Sequence, residues 1–400
     1  MMTKKQRMTP QLTVDFIKRL GRTTLDMRFT AEAEILVLFG PSGAGKTQTL
    51  HTVAGLSTPD SGQIRFDNAV FFRRIPGKPV VNLPARKRRV GYVFQQYALF
   101  PHMSALENVA FPLGKRRDAR DRAMELLERM HLAHLAQRMP HELSGGQQQR
   151  IAVARALATE PHILLLDESF SALDRPVRER LHEEIRTLQA ERRLVVLYVT
   201  HNLDDAFAVG HRLAVVRDGR IEQIGRIDDV FTRPANRHVL DILGIPNVMI
   251  ARVVETGPSG ALLDWDGMFL EAPPIDAPLG AEITAYIRPE DIRLVYPDRS
   301  LSRMVVHNHL EGTVVERRLE RHMRRLRVAL PYGHRIEVVY PSSFYATMSL
   351  APGERVRLAL RKESIVVIAP RERISPPAGT FLPDRVSDAG VIDPASSSPT

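Results

Sequence analysis

The chain has 400 residues, 44% hydrophobic and 26% charged, which excludes a short module, a fibrous repeat and a wholly disordered protein and leaves room for two or three domains. A net charge of +10 calls for anionic partners without choosing among nucleotide, phospholipid head groups and nucleic acid. Cysteine is absent, which removes disulfides, thiolate metal sites and cysteine nucleophiles and accords with a reducing cytoplasm.

The first residues, MMTKKQRMTPQLTV, are basic but carry no apolar h-region, and no later window approaches the roughly 18 consecutive apolar residues of a spanning helix. From about Leu12 to Gly244, continuous aliphatic runs alternate with helical patterns. EILVLFG, VGYVFQ, HILLLD and LVVLYVT read as strands buried on both faces; KTQTLHTVAGL, QQQRIAVARALA and VRERLHEEIRTLQAERR read as helices between them. That alternation predicts an α/β domain with a mostly parallel sheet over residues 1–245.

After Pro246 the pattern changes to short β-type runs separated by Pro and Gly turns. LGAEITAYIRPEDIRLV (279–295) lines up with APGERVRLALRKESIVVI (351–368), pairing Gly280 with Gly353, Arg288 with Arg361 and Glu290 with Glu363, and ARVVE at 251–255 echoes GTVVE at 312–316. Two related five-stranded, OB-like units over 246–300 and 301–371 are expected, followed by a disordered Pro/Ser/Gly-rich tail at 372–400. His307 and His309 alternate onto one side of a strand and form a minimal candidate metal pair. The basic runs Arg86–Arg89 and Arg317–Arg327 lack interleaved aromatic residues, so they are expected as solvated faces and no nucleic-acid partner is expected.

The chemistry concentrates in the first domain. GPSGAGKT (Gly40, Pro41, Ser42, Gly43, Ala44, Gly45, Lys46, Thr47) lies between the strand EILVLF and a helix, the context in which backbone N–H groups and a helix N-terminus close around phosphate oxygens. Lys46 is expected to reach the β- and γ-phosphates and Thr47 to ligate Mg²⁺. Ser144, Gly145, Gly146 and Gln147, in LSGGQQQR, offer a second helix N-terminus with small residues. ILLLDESFSALD (163–174) delivers Asp167 and Glu168 at the end of a buried strand, where one acid can serve a metal and the next can polarise an attacking water.

Taken in order, these motifs resemble the ATP-binding subunits of ABC transporters over Leu12 to about Gly244. The resemblance implies a nucleotide-sandwich homodimer in which the Ser144–Gln147 loop contacts ATP held by the other copy. It further implies two transmembrane permease subunits, a soluble substrate-binding protein and a peripheral position on the cytoplasmic face of the membrane. By the same resemblance Gln95 senses the γ-phosphate and Mg²⁺, His201 contacts the γ-phosphate, SALD (171–174) with Asp174 crosses the dimer interface, and Tyr97, Leu99, Phe100, Met103 and Leu106 form either ordinary core or the surface that receives the permease. Three departures stand out. Leu20 occupies the region where an aromatic residue stacks on adenine, with Phe16 as a substitute; Gln48 replaces a second hydroxyl residue; and Ser169 replaces the usual proline.

The OB-like tail resembles that of binding-protein-dependent importers. The phrase LPARKRRVGYVFQQYALFPHMSALENVAF is similar to importers of oxyanions, polyamines and iron, and HNHLEGTVVERR is most similar to molybdate-importer ATPases. Molybdate or tungstate is therefore the leading expected cargo, with sulfate, iron(III), polyamine or sugar as rivals. An oxyanion could also occupy the OB-like units as a regulator, or these units could simply dimerise. The competing classes are a soluble ABC protein acting on nucleic acid or the ribosome, and a non-hydrolysing oxyanion regulator; intact Lys46, Glu168 and His201 argue for turnover.

Overall fold

A computed structural model describes residues 9–170, 173–296, 308–320, 322–345, 348 and 350–368. The expected tail at 372–400, His307, Ser171 and Ala172 lie outside the described residues.

Eleven strands form the first sheet: β1 (Leu12–Leu20), β2 (Thr23–Ala31), β3 (Ile35–Phe39), β4 (Ser61–Phe66), β5 (Ala69–Arg74), β6 (Val81–Asn82), β7 (Val90–Val93), β8 (Ile163–Asp167), β9 (Val195–Thr200), β10 (Arg212–Arg217) and β11 (Arg220–Arg226). Their order is β6-β5-β4-β1-β2-β11-β10-β3-β9-β8-β7. The parallel sheet of the expectation is the run β10-β3-β9-β8-β7, and on the other side antiparallel pairs and one parallel pair, β11 with β2, extend it. Every residue of β3, β8 and β9 is buried, as their uninterrupted aliphatic runs require when helices cover both faces.

The helices that concern the site are α1 (Lys46–Ala54), α2 (Ala105–Ala110), α3 (Ala119–Arg129), α4 (Gly145–Leu157), α5 (Arg175–Arg192) and α6 (Leu203–Val209). None of the described helices is long and apolar enough to cross a membrane. Parallel register places Phe39 beside Thr200, Asp167 beside Val199 and Val93 beside Leu166, so four strands deliver the chain that follows them to one carboxyl edge. That edge is where ligands bind in open α/β sheets.

Residues from 248 onward form two antiparallel five-stranded sheets. The strands are β12 (Val248–Gly257), β13 (Gly260–Trp265), β14 (Met268–Ala272), β15 (Glu282–Ile287), β16 (Ile292–Val295), β17 (Asn308–Glu320), β18 (Met323–Ala329), β19 (Arg335–Pro341), β20 (Arg355–Leu360) and β21 (Ile365–Ile368). Their orders are β14-β13-β12-β15-β21 and β16-β20-β17-β18-β19. The repeat seen in the sequence is thus a repeat of structure, down to matching bulges between Val253 and Glu255 and between Val314 and Glu316.

The division at 300/301 follows chain order but not the sheets. β21 closes the edge of the first sheet, pairing Ile287 with Ile365 and Thr284 with Ile368, while β16 closes the second, pairing Ile292 with Leu360 and Val295 with Arg357. The paired repeats therefore run antiparallel against each other and exchange their final strands. One apolar core, from Met249 to Ile365, fills both units. Tyr286 Oη donates to Thr232 O at 2.7 Å and joins Ile368 in the core of the nucleotide domain, which ties the two halves together.

Neither basic run is a uniformly solvated face. Arg88 is 2% exposed and donates to Thr52 O and Val53 O (2.9 Å each), Leu83 O (2.8 Å) and Asn82 Oδ1 (3.1 Å), so a cation sits on the last carbonyls of α1. Burial pushes its pKa down to about 10. In the second run, Arg325 pairs with Glu320 and Glu337, Arg327 with Glu316 and Glu337, and Arg318 with Glu316.

Candidate active site

Between β3 and α1 the chain turns through Gly43 and Gly45 at φ +79° and +100°, backbone that L side chains rarely adopt. The conformation at Gly45 requires glycine, and a Cβ there, 2.4 Å from Leu25 Cδ2, would also displace the Leu25 side chain. Lys46, 5% exposed, folds back over this loop and donates to Gly40 O (2.9 Å) and Pro41 O (2.8 Å). Burial lowers its pKa, and the charges of Glu168 and Asp167 oppose that shift.

Asp167 is 4% exposed and held on both oxygens: Thr47 Oγ1 donates to Oδ1 at 2.8 Å and Tyr92 Oη donates to Oδ2 at 2.9 Å. The next residue, Glu168, takes φ +44° while its N–H donates to Val199 O at 3.0 Å. A left-handed non-glycine residue costs roughly 1–2 kcal/mol. Here it turns the second carboxylate out of the strand, where Gln95 Nε2 donates to its Oε2 at 3.2 Å and His201 Nδ1 lies 3.5 Å from the same oxygen.

A cavity of about 460 Å³ opens at this edge, lined by Leu20, Thr23, Leu25, Ser42, Gly43, Gly45, Lys46, Thr47, Gln48, Gln95 and Glu168. Leu20 forms part of the wall, and no aromatic side chain is among the lining residues. Phe16 is 0% exposed in the core beneath β1 and so cannot stack on a base, which corrects that expectation. Gln48 faces the cavity as a polar replacement for the hydroxyl.

Oxygen donors suited to Mg²⁺ are already assembled, with the Thr47 hydroxyl against the Asp167 carboxylate and the Gln95 amide close by at Glu168. Thr47, Asp167 and Gln95 fit the ion as the residues that would hold it.

Ser144, Gly145, Gly146, Gln147 and Asp174 are not among the residues lining this cavity. Ser144 and Gln147 form a reciprocal cap at the start of α4, Gln147 N donating to Ser144 Oγ (3.4 Å) and Ser144 N to Gln147 Oε1 (2.9 Å). Asp174 is exposed ahead of α5, where its side chain makes no capping bond. Of the apolar residues after Gln95, Leu106 is core, whereas Tyr97, Leu99, Phe100 and Met103 are half-buried. Phe111, 54% exposed and 4.5 Å ring to ring from Phe100, extends that surface.

Two supporting elements escaped sequence reasoning. Tyr92 holds Asp167 from the neighbouring strand, and the only trace in sequence is a tyrosine three residues before Gln95. Asp205, 2% exposed, pairs with Arg178 (3.3 Å) and meets Tyr198 Oη and Thr200 Oγ1 at 3.4 Å each, while Arg178 Nη2 donates to Leu173 O at 2.8 Å. This ties the segment before Asp174 to the helix that follows His201. Ser169 is 1% exposed, and its Oγ has no hydrogen-bond partner among the described residues.

A family model described as ABC transporter matches residues 25–171, and one described as TOBE domain matches residues 285–368, from within β15 to the end of β21. The spermidine/putrescine import ATP-binding protein PotA of Nitrosospira multiformis is 41% identical over 331 residues, 81% of this chain and 88% of that protein. The Fe(3+) ions import ATP-binding protein FbpC of Brucella abortus is 41% identical over 322 residues, 78% of this chain and 88% of that protein. A solved dimeric bacterial ABC transporter cassette matches at 32% identity and a TM-score of 0.47, covering 55% of this chain and 98% of that one. A phosphate-binding loop joined to paired acids at one sheet edge, a TOBE region behind it and relatives matched over most of their length agree: the chain belongs to the ATP-binding subunits of ABC importers, which hydrolyse ATP to drive transport.

Proposed function

We propose that two copies of this subunit close around ATP, each phosphate-binding loop facing Ser144–Gln147 and Asp174 of the other copy, and that they drive import through two permease subunits from the cytoplasmic face of the membrane. A soluble substrate-binding protein supplies the cargo. The observation that carries the reading is the meeting of Gln95 and His201 on Glu168 Oε2, one residue beyond the Thr47–Asp167 bond. Phosphoryl transfer asks the protein mainly for positioning and charge neutralisation. Glu168 accepts the proton of the attacking water, His201 and Gln95 fix the direction of that carboxylate, and Lys46 and the loop N–H groups hold the phosphates. Mg²⁺, when bound, neutralises charge on the β- and γ-phosphates.

For cargo, the polyamine or iron(III) alternative replaces molybdate or tungstate, because the relatives described above import spermidine/putrescine and Fe(3+). Both are cations, so a cationic cargo is the common reading, and none of those relatives speaks for an oxyanion at the C-terminal units. Glu168→Gln is expected to bind ATP normally, lose at least about 100-fold in turnover and accumulate as an ATP-bound dimer. Normal turnover in that variant would remove Glu168 as the base. Stimulation of the whole complex by molybdate, but not by spermidine or Fe³⁺, would overturn the cargo assignment.

A further inference from the structure

Helix α4 begins at Ser144 and carries Arg155 near its other end, eleven residues and roughly 16 Å along the axis from the residue that would face the partner's ATP. The Arg155 guanidinium donates to two consecutive backbone carbonyls just past Gln95: Nη2 to Tyr97 O at 2.9 Å and Nη1 to Ala98 O at 2.8 Å. Nη1 also lies 3.4 Å from Asn108 Oδ1, and the guanidinium carbon stands 5.4 Å from the centre of the Phe100 ring. Among the described residues no carboxylate pairs with it, and burial lowers its pKa.

The two carbonyls face Arg155 because Tyr97 and Ala98 both adopt left-handed backbone, φ +58° and +48°. Two successive non-glycine residues in that region are held only where the surroundings over-determine them. If the pair relaxed to ordinary backbone, the carbonyls would turn away and leave a half-buried cation with its donors unpaired, which is costly. Arg155 and the strained turn therefore hold each other in place. Asn108, 0% exposed, secures the far side of the loop, accepting from Phe100 N (2.8 Å) and donating to Phe100 O, Met103 O and Ser104 O (3.1, 3.0 and 3.1 Å).

We propose that Arg155 is a positioning residue that makes the segment after Gln95 and helix α4 a single moving part, so that displacement of Gln95 at the nucleotide shifts Ser144 at the opposite end of the helix. This rests on the proposed role of Gln95. The side chain touches neither the nucleotide cavity nor the Ser144 cap, and it acts through the backbone of Tyr97 and Ala98.

The test uses the full chain with Arg155→Gln, which removes the cation, and Arg155→Lys, which keeps the charge but cannot span both carbonyls. ATP affinity and KM are expected to stay within about twofold while kcat falls roughly tenfold in Arg155→Gln and less in Arg155→Lys, the split of a group that positions rather than binds. Amide hydrogen exchange across 96–104 should speed up, with the amides of α4 unchanged. Unchanged kcat, unchanged exchange at 96–104, or faster exchange throughout α4 would each overturn the proposal, the last by showing a general structural role. If Arg155→Gln fails to fold, Arg155→Lys decides by the same readouts. Gln95→Ala measured in parallel separates the two ideas: normal turnover there defeats the Gln95 reading, whereas the exchange result reports on the hold of Arg155 by itself.

Discussion

The two halves of the chain solve the same problem of sheet edges in opposite ways. In the nucleotide half, parallel strands leave one carboxyl edge open, and the loops after β3, β7 and β8 meet the ends of β1 and β2 there to build the cavity, with His201 after β9 reaching Glu168. In the C-terminal half, antiparallel repeats use their last strands to cover each other's edges, through β15 with β21 and β16 with β20. Open ends make a reaction site; exchanged edges make a joint. The first half can lose a loop and keep its sheet, whereas neither sheet of the second half can be completed alone.

Removing β21 tests the joint most severely. A chain ending at Ser364 loses Ile365 and Ile368, 1% and 9% exposed, worth about 3–6 kcal/mol of burial between them. The loss should appear in the other repeat: Trp265, the sole tryptophan and 5% exposed, lies in the first sheet, with its ring 4.3 Å from that of His334 in the turn between β18 and β19. Its emission is expected to shift to the red. An unchanged spectrum and unfolding midpoint would mean that the repeats stand independently.

In the nucleotide half the largest single-residue effect on stability is expected at Asp205→Asn, which leaves Arg178 without its buried acid. Stability by denaturant unfolding should fall by about 1–3 kcal/mol, and turnover should fall with it because Arg178 also holds Leu173 O. Leu20→Tyr is a smaller change of opposite sign. An aromatic wall should tighten ATP by about 0.5–1.5 kcal/mol without tightening inorganic triphosphate, measured by calorimetry on both ligands. Equal gains for both would place the base elsewhere. The smallest effect is expected at Ser169→Ala, which removes a buried hydroxyl without a partner among the described residues and should stabilise the chain by under about 1 kcal/mol. A loss of stability or a large fall in turnover there would mean that the hydroxyl serves Glu168.

The residues to which the proposed function gives the chemistry were legible because chemistry limits the choice of residue. Phosphate cradling needs glycine at Gly43 and Gly45, and a strand ending in two acids is hard to explain otherwise. The C-terminal half was legible as a repeat, down to the Val-Val-Glu that carries each bulge. What sequence could not carry was partner choice. Strand periodicity tells which face of Ile365 is buried but not whether β21 joins the first sheet or the second. Arg88 looked like one more residue in a basic run because composition is blind to the four oxygens waiting for it. Phe16 failed as a base-stacking residue because nearness in sequence to the phosphate loop says nothing about which side of β1 it occupies.

The exchanged strands also impose an order on synthesis. The outer edge of β15 is complete at Ile287, yet the strand that covers it begins at Ile365, 78 residues later (365 − 287). At roughly 5–20 residues per second, that edge waits about 4–16 s on the ribosome with unpaired backbone groups exposed. All eleven strands of the nucleotide sheet have been made before that interval begins, while the first C-terminal sheet cannot close until nearly all of the described chain has been made. A nascent chain stalled before Ile365 would therefore present a nucleotide domain still missing Val366 and Ile368 from its packing, attached to an open strand edge, a species for holdase chaperones to recognise and one whose lifetime is set by translation speed.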